Sequence, residues 1–127
     1  KVKRNLQSLV VAQAAVTALV SAFGDSMLKI RLRDLPTGYE AYLVTPLSNE
    51  EAKKETCRIE DTHPLGRLFD LDVIDADGVP MSRESVGLSP RKCLVCDNEA
   101  RYCMRNRTHT MAELTAKIDE MIESYVR

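Results

Sequence analysis

A chain of 127 residues can hold one domain with a modest core. Its 18 basic and 19 acidic side chains nearly cancel, which removes any global electrostatic reason to bind nucleic acid or an acidic membrane. No secretory signal is visible, no apolar run is expected to span a bilayer, and the chain opens on Lys1 rather than methionine. A cytoplasmic protein is expected, processed at its start or cut from a longer product.

In chain order, the apolar positions Leu6, Leu9, Val10, Val16, Leu19, Val20 and Phe23 predict a buried helix over Val2–Phe23, with Gly24 as its stop. Met27–Arg33 then alternates, with Leu28, Ile30 and Leu32 on one side and Lys29, Arg31 and Arg33 on the other, as a half-buried strand does. Pro36, Thr37 and Gly38 turn the chain into a second strand, Tyr39–Val44. Ser48 and Glu51 form a capping box for a short exposed helix, Ser48–Glu55. Thr56–Glu60 and Phe69–Ile74 read as a third and a fourth strand, and Asp77-Gly78 as a tight turn into Val79–Met81. Thr110 and Glu113 cap a last helix buried through Met111, Leu114, Ile118, Met121, Ile122 and Tyr125. The expected fold is therefore α+β in a single domain, 1–127, with a mostly antiparallel sheet flanked by N-terminal and C-terminal helices.

Two motifs carry chemistry. In HPLGRLFDLDVID, residues 63–75, alternation places Asp70 and Asp72 together on the side opposite Phe69, Leu71 and Val73. Like charges two strand positions apart repel, so a solvated edge, a basic neighbour or a divalent metal ion must compensate them. Gly66 permits close backbone approach to an anionic group, and the Arg67 fork suits phosphate oxygens. A D-h-D pair after a glycine turn loosely matches polymerase-β-type nucleotidyltransferases, although their glycine-serine pair lies farther upstream. A calcium loop of the EF-hand type is excluded, because Ile74 or Val79 falls where an oxygen ligand is required. Farther on, Cys93-x2-Cys96-x6-Cys103-x5-His109 has the donor set of a tetrahedral structural zinc in a Cys/His knuckle. Buried reduced thiols beside a helix, which could run through Asn98–Arg107, are the ordinary alternative. Cys57 stands apart and is expected in the core.

Together, HPLGRLFDLDVID, Ser82-Arg83, the run from Pro90 to Cys96, Ala100, Cys103, Arg105 and His109 resemble the holo-citrate-lyase synthase family (CitX) of apo-citrate lyase phosphoribosyl-dephospho-CoA transferases. The resemblance is specific from His63 onward and looser over Lys1–Asp61. It implies an N-terminal segment beyond Lys1, whether lost or joined in a fusion to the enzyme that makes the precursor. It also implies transfer of the 2'-(5''-phosphoribosyl)-3'-dephospho-CoA group from its triphosphate to a serine of the acyl-carrier subunit of citrate lyase, with loss of pyrophosphate. On that reading Asp70 and Asp72 hold Mg2+, and Glu60, at the end of a neighbouring strand, completes the site or acts as base. Arg67 pairs with the triphosphate beside Gly66, His63 contacts phosphate or braces the turn, and Arg83, Arg91 and Lys92 form a second cationic tier or are ordinary solvated loop charges. Cys93, Cys96, Cys103 and His109 hold structural Zn2+. A different class of protein, a zinc-stapled module that docks on the acyl-carrier subunit without chemistry of its own, leaves Asp70 and Asp72 without a purpose.

Overall fold

The computed structural model describes residues 6–36 and 38–127. The expected helical positions Val2–Asn5, and Thr37 of the expected turn, lie outside them. The chain divides into two compact units, Lys1–Met81 and Ser82–Arg127, each α or α+β in content.

In the first unit, helix α1 covers Leu6–Phe23, as the apolar periodicity requires. It ends where Gly24, at φ +26, opens a 3-10 turn to Ser26. Contrary to the sequence expectation, Leu6–Ser26 is long and apolar enough to cross a membrane by length and composition. Here α1 lies against β2 and α2, but only Ala14 and Phe23 are buried, and Leu6 and Val20 of the expected buried face are exposed. Strands β1, Lys29–Leu35, and β2, Gly38–Val44, pair antiparallel from Lys29↔Val44 to Leu35↔Gly38. They form a two-stranded sheet, where a larger one was expected.

Helix α2, Asn49–Thr62, corrects the expected third strand. The Ser48–Glu51 capping box forms as anticipated, with both reciprocal bonds. The helix then runs straight through Thr56–Glu60 rather than stopping at Glu55. Its buried residues are Ala52, Lys53, Thr56, Cys57, Ile59 and Glu60, a stripe of helical period. A lysine stem, a threonine and a carboxylate take half of those positions, so the apolar pattern was disguised. Cys57 is in the core, 1% exposed.

Phe69–Ile74 is extended but belongs to no ladder, which corrects the expected fourth strand. Among the described residues its backbone bonds are the Phe69 N–H donated back to the Gly66 carbonyl, the Ile74↔Pro80 bridge and the Met81 N–H donated to the Val73 carbonyl. The Asp77-Gly78 turn is present, with Gly78 at φ +80 and the Asp75 carboxylate accepting from the Asp77 and Val79 amides.

In the second unit, a 3-10 turn at Glu84–Val86 ends on Gly87, at φ +79. Helices α3, Ala100–Asn106, and α4, Met111–Val126, follow. Thr110 and Glu113 make the predicted capping box of α4. Buried apolar side chains in this unit are few: Cys93, Cys103 and Ile122.

Candidate functional site

The end of α2 and the turn that follows it build the first part of the site. His63 caps α2, and its Nδ1 accepts the Leu65 amide at 2.9 Å while the ring lies 4.8 Å from that of Phe69. Partial burial lowers the His63 pKa from its usual value, favouring the neutral ring. Leu65 and Phe69 are inserted in the core, at 0% and 2% exposure. Gly66, buried between them, starts a 3-10 turn to Leu68. A Cβ on Gly66 would sit 2.2 Å from the Glu60 carbonyl oxygen and 2.7 Å from that of Ile59. What Gly66 approaches closely is therefore the C-terminal end of α2.

Beyond the turn, burial alternates as the sequence requires. Phe69 is buried and Leu71 and Val73 half-buried, whereas Asp70, Asp72 and Ile74 are exposed. The two aspartates thus share the outward side without any sheet to enforce it. One fixing contact comes from Glu60, whose Oε2 accepts the Leu71 amide at 3.0 Å. Glu60 is 4% exposed and sits on α2, which corrects its expected position on a strand. Arg67 is exposed on the turn just before the pair.

The remaining cations belong to the second unit. Arg83 is buried, Arg91 half-buried and Lys92 exposed. Lys92 pairs with Glu99 in an isolated bridge, flanked by Cys93 N–H donating to the Asn98 carbonyl at 2.7 Å and Ala100 N–H to the Arg91 carbonyl at 2.8 Å. This narrow ribbon presents Cys93 and Cys96. Helix α3 carries Cys103, and Arg107, in the left-handed region at φ 50, ends that helix so that the chain returns with His109. Arg101 joins Glu84 to α3 at 2.8 Å, an exposed ion pair of small energetic weight.

The ligand atoms of Cys93, Cys96, Cys103 and His109 all lie within 4.8 Å of one another. Cys96 Sγ is 3.5 Å from Cys103 Sγ and 3.4 Å from His109 Nε2. A tetrahedral ion with Zn–S bonds of about 2.3 Å holds its sulfurs about 3.8 Å apart, so the donors already stand near the corners of such a site. The electrostatics divide, moving Cys93 and Cys96 toward the thiolate that a metal needs and Cys103 and His109 away from the ligating form. Burial pushes the Cys93 thiol up, but the Val95 and Cys96 amides and the neighbouring thiols outweigh it and bring the pKa down to about 7. The Asn98 amide, followed by His109, lowers that of Cys96. At Cys103 the Thr108 contact lowers the pKa, but burial and the adjacent thiols prevail and raise it. Hydrogen bonding to Cys96 raises that of His109. This Cys3His group could hold a metal ion. The backbone donors at Val95 and Asn98 and the Thr108 side-chain contact escaped sequence reasoning. Only the C-x2-C spacing hints at the first two.

Comparison with known proteins identifies a transferase family. The CitX family model, described as apo-citrate lyase phosphoribosyl-dephospho-CoA transferase, matches residues 1–125. A Vibrio cholerae protein named probable apo-citrate lyase phosphoribosyl-dephospho-CoA transferase is 41% identical over 98% of this chain and 72% of its own length. One of the same name from Streptococcus pyogenes is 34% identical over 98% of this chain and 67% of its own. Protein CitXG of Haemophilus influenzae is 38% identical over 87% of this chain, a stretch that makes up 24% of that longer protein. The chain belongs to the apo-citrate lyase phosphoribosyl-dephospho-CoA transferase family.

Proposed function

We propose that this chain moves the 2'-(5''-phosphoribosyl)-3'-dephospho-CoA group from its triphosphate precursor to a serine of the acyl-carrier subunit of citrate lyase, in the cytoplasm, releasing pyrophosphate. Family membership over nearly the whole chain carries the reading. The reaction is of the nucleotidyltransferase type. The serine oxygen attacks the α-phosphorus and gives up its proton to solvent, the bond from that phosphorus to the bridging oxygen breaks, and pyrophosphate departs with the electron pair.

Asp70 and Asp72 offer hard oxygen donors on one exposed side, a set that suits Mg2+. Asp70 and Asp72 would hold such an ion, which would supply neutralising charge for the leaving pyrophosphate and lower the pKa of the attacking hydroxyl. Arg67 binds triphosphate oxygens through its planar fork. Glu60 acts as a positioning residue, its buried carboxylate held on the Leu71 amide between the two aspartates. His63, neutral and committed to Leu65, braces the turn. Gly66 lets the turn seat on α2.

Structural zinc is the reading for Cys93, Cys96, Cys103 and His109. A unit whose buried apolar side chains are Cys93, Cys103 and Ile122 needs a staple of this kind. Such a site closes all four positions with protein ligands and leaves none for catalysis.

The test is to incubate the protein with apo acyl-carrier subunit, precursor and Mg2+, then measure the intact mass of the acceptor. A gain equal to the prosthetic group is expected. No gain from folded protein would leave the docking-module reading in its place.

A further inference from the structure

The cationic side of β1 takes no part in the chemistry above. The strand register sets Lys29 opposite Val44, Arg31 opposite Tyr42 and Arg33 opposite Glu40. Directly paired residues share a face, so these six form one side of the ribbon, and all six are exposed. The opposite side holds the half-buried Ile30, Tyr39 and Leu43 together with the exposed Leu32, Asp34 and Ala41, so the expected apolar face of β1 is only partly covered. Three cations therefore stand against one acid on an open surface, in a chain of net charge −1. The acid is already engaged, since Glu40 accepts the Tyr42 hydroxyl at 2.9 Å. Among the described residues, Lys29, Arg31 and Arg33 make no ion pair.

We propose that this face docks the protein acceptor of the transfer through an acidic helix. The inference rests on the transfer reading. Small ligands need concave walls, whereas Tyr42 and Val44, each 51% exposed, lie on an open ribbon. Alternate strand residues repeat every ~6.7 Å. Carboxylates at i, i+4 and i+8 of a helix repeat every ~6 Å, so three of them run in step with Lys29, Arg31 and Arg33. Tyr42 and Val44 supply the apolar contact between the charged positions, and tyrosine and arginine are the residues that anchor protein interfaces. Because the whole chain is not cationic, the attraction acts locally, within a Debye length of ~8 Å, and fades with salt.

The decisive variant is Lys29→Gln/Arg31→Gln/Arg33→Gln in the full chain, with an unchanged circular dichroism spectrum as the folding control. The KM for apo acyl-carrier subunit should rise about tenfold, with kcat and the KM for the precursor within about twofold of wild type. Binding to immobilised apo acceptor should weaken in parallel and lose most of its salt dependence. Asp70→Asn separates the two readings, because it should abolish transfer and keep acceptor binding. Equal acceptor binding by triple variant and wild type would overturn the docking proposal even if transfer is confirmed. A rise confined to the precursor KM would also overturn it, placing the small substrate on this face. If wild type binds the acceptor through these cations but transfers nothing, docking stands and the transfer reading fails.

Discussion

Replacing Gly66 by alanine asks what that glycine is for. Its added methyl would meet three backbone atoms of α2: the Glu60 oxygen at 2.2 Å, the Glu60 carbon at 2.6 Å and the Ile59 oxygen at 2.7 Å. None of them can rotate away as a side chain could, so the turn or the helix end must move by about 1 Å to restore ordinary contact. Movement is costly there, because the same turn seats Leu65 and Phe69 in the core and the Glu60 carboxylate holds Leu71. Overpacking costs about 1–3 kcal/mol, and an all-backbone clash belongs at the upper end. At an m-value of roughly 1.5 kcal/mol/M, a loss of about 3 kcal/mol lowers the urea midpoint by about 2 M. Gly78→Ala is the internal comparison. Its φ of +80 disfavours a side chain, but no atom lies within 4 Å of the added carbon. It should cost only about 1 kcal/mol. Both variants are followed by circular dichroism in urea. A Gly66→Ala midpoint within 0.3 M or so of wild type, combined with weak precursor binding, would show that the glycine serves an anion and not α2.

Asp70→Asn and Asp72→Asn should each abolish transfer without loss of fold, and the double variant should cost little more than either, since residues acting as a unit are not additive; near-normal mass gain on the acceptor would mark an ordinary solvated pair. Arg67→Lys keeps the charge but loses the fork, so the KM for the precursor should rise several-fold; equal precursor binding by the two proteins would give Arg67 a folding role. Stripping zinc with a strong chelator should remove helical signal from α3 and α4 and expose three thiols to a thiol reagent, and the reading is lost if neither changes. His63 has a folded pKa below its unfolded value, so the unfolded chain binds the proton first and stability falls as pH drops below about 6.5. In melts between pH 7 and 5, His63→Asn should flatten that fall, and an unchanged slope would show that other groups cause it.

How legible the fold was depends on which force shaped each element. Helix α1, the β1–β2 pair and both capping boxes follow from short-range patterns, and they lie within a few residues of their expected ends. Thr56–Glu60 misled because Lys53, Thr56 and Glu60 fill buried helical positions. A stripe assembled from aliphatic stems and hydrogen-bonded polar groups has little apolar periodicity to read. Phe69–Ile74 shows the converse. Its alternation reported correctly which side chains turn inward, but pairing needs a neighbouring strand, and alternation says nothing about whether one is present. The Cys93-to-His109 spacing anticipated convergence of the four donors. The means of convergence, a helix closed by the left-handed Arg107, had no sequence signal, because arginine is an unusual residue at positive φ.

The missing ladder changes how the paired aspartates have to be held. In a sheet, neighbours on both sides would fix the positions of Asp70 and Asp72. Here the inward residues Phe69, Leu71 and Val73 anchor one side of the strip, and Glu60 bonds to the amide midway between the carboxylates. A buried carboxylate accepting an N–H makes a charge-assisted bond, stronger than the neutral ladder bond it replaces. The bond is also directional, so it fixes the rotation of the strip and keeps both aspartates facing out. That contact depends on α2 continuing past Glu55 to bring Glu60 under the strip, and on Gly66 being small enough for the turn to close against the Glu60 carbonyl. The Ser48 cap, the disguised stripe of α2 and the glycine therefore lie on one physical path to the two outward carboxylates.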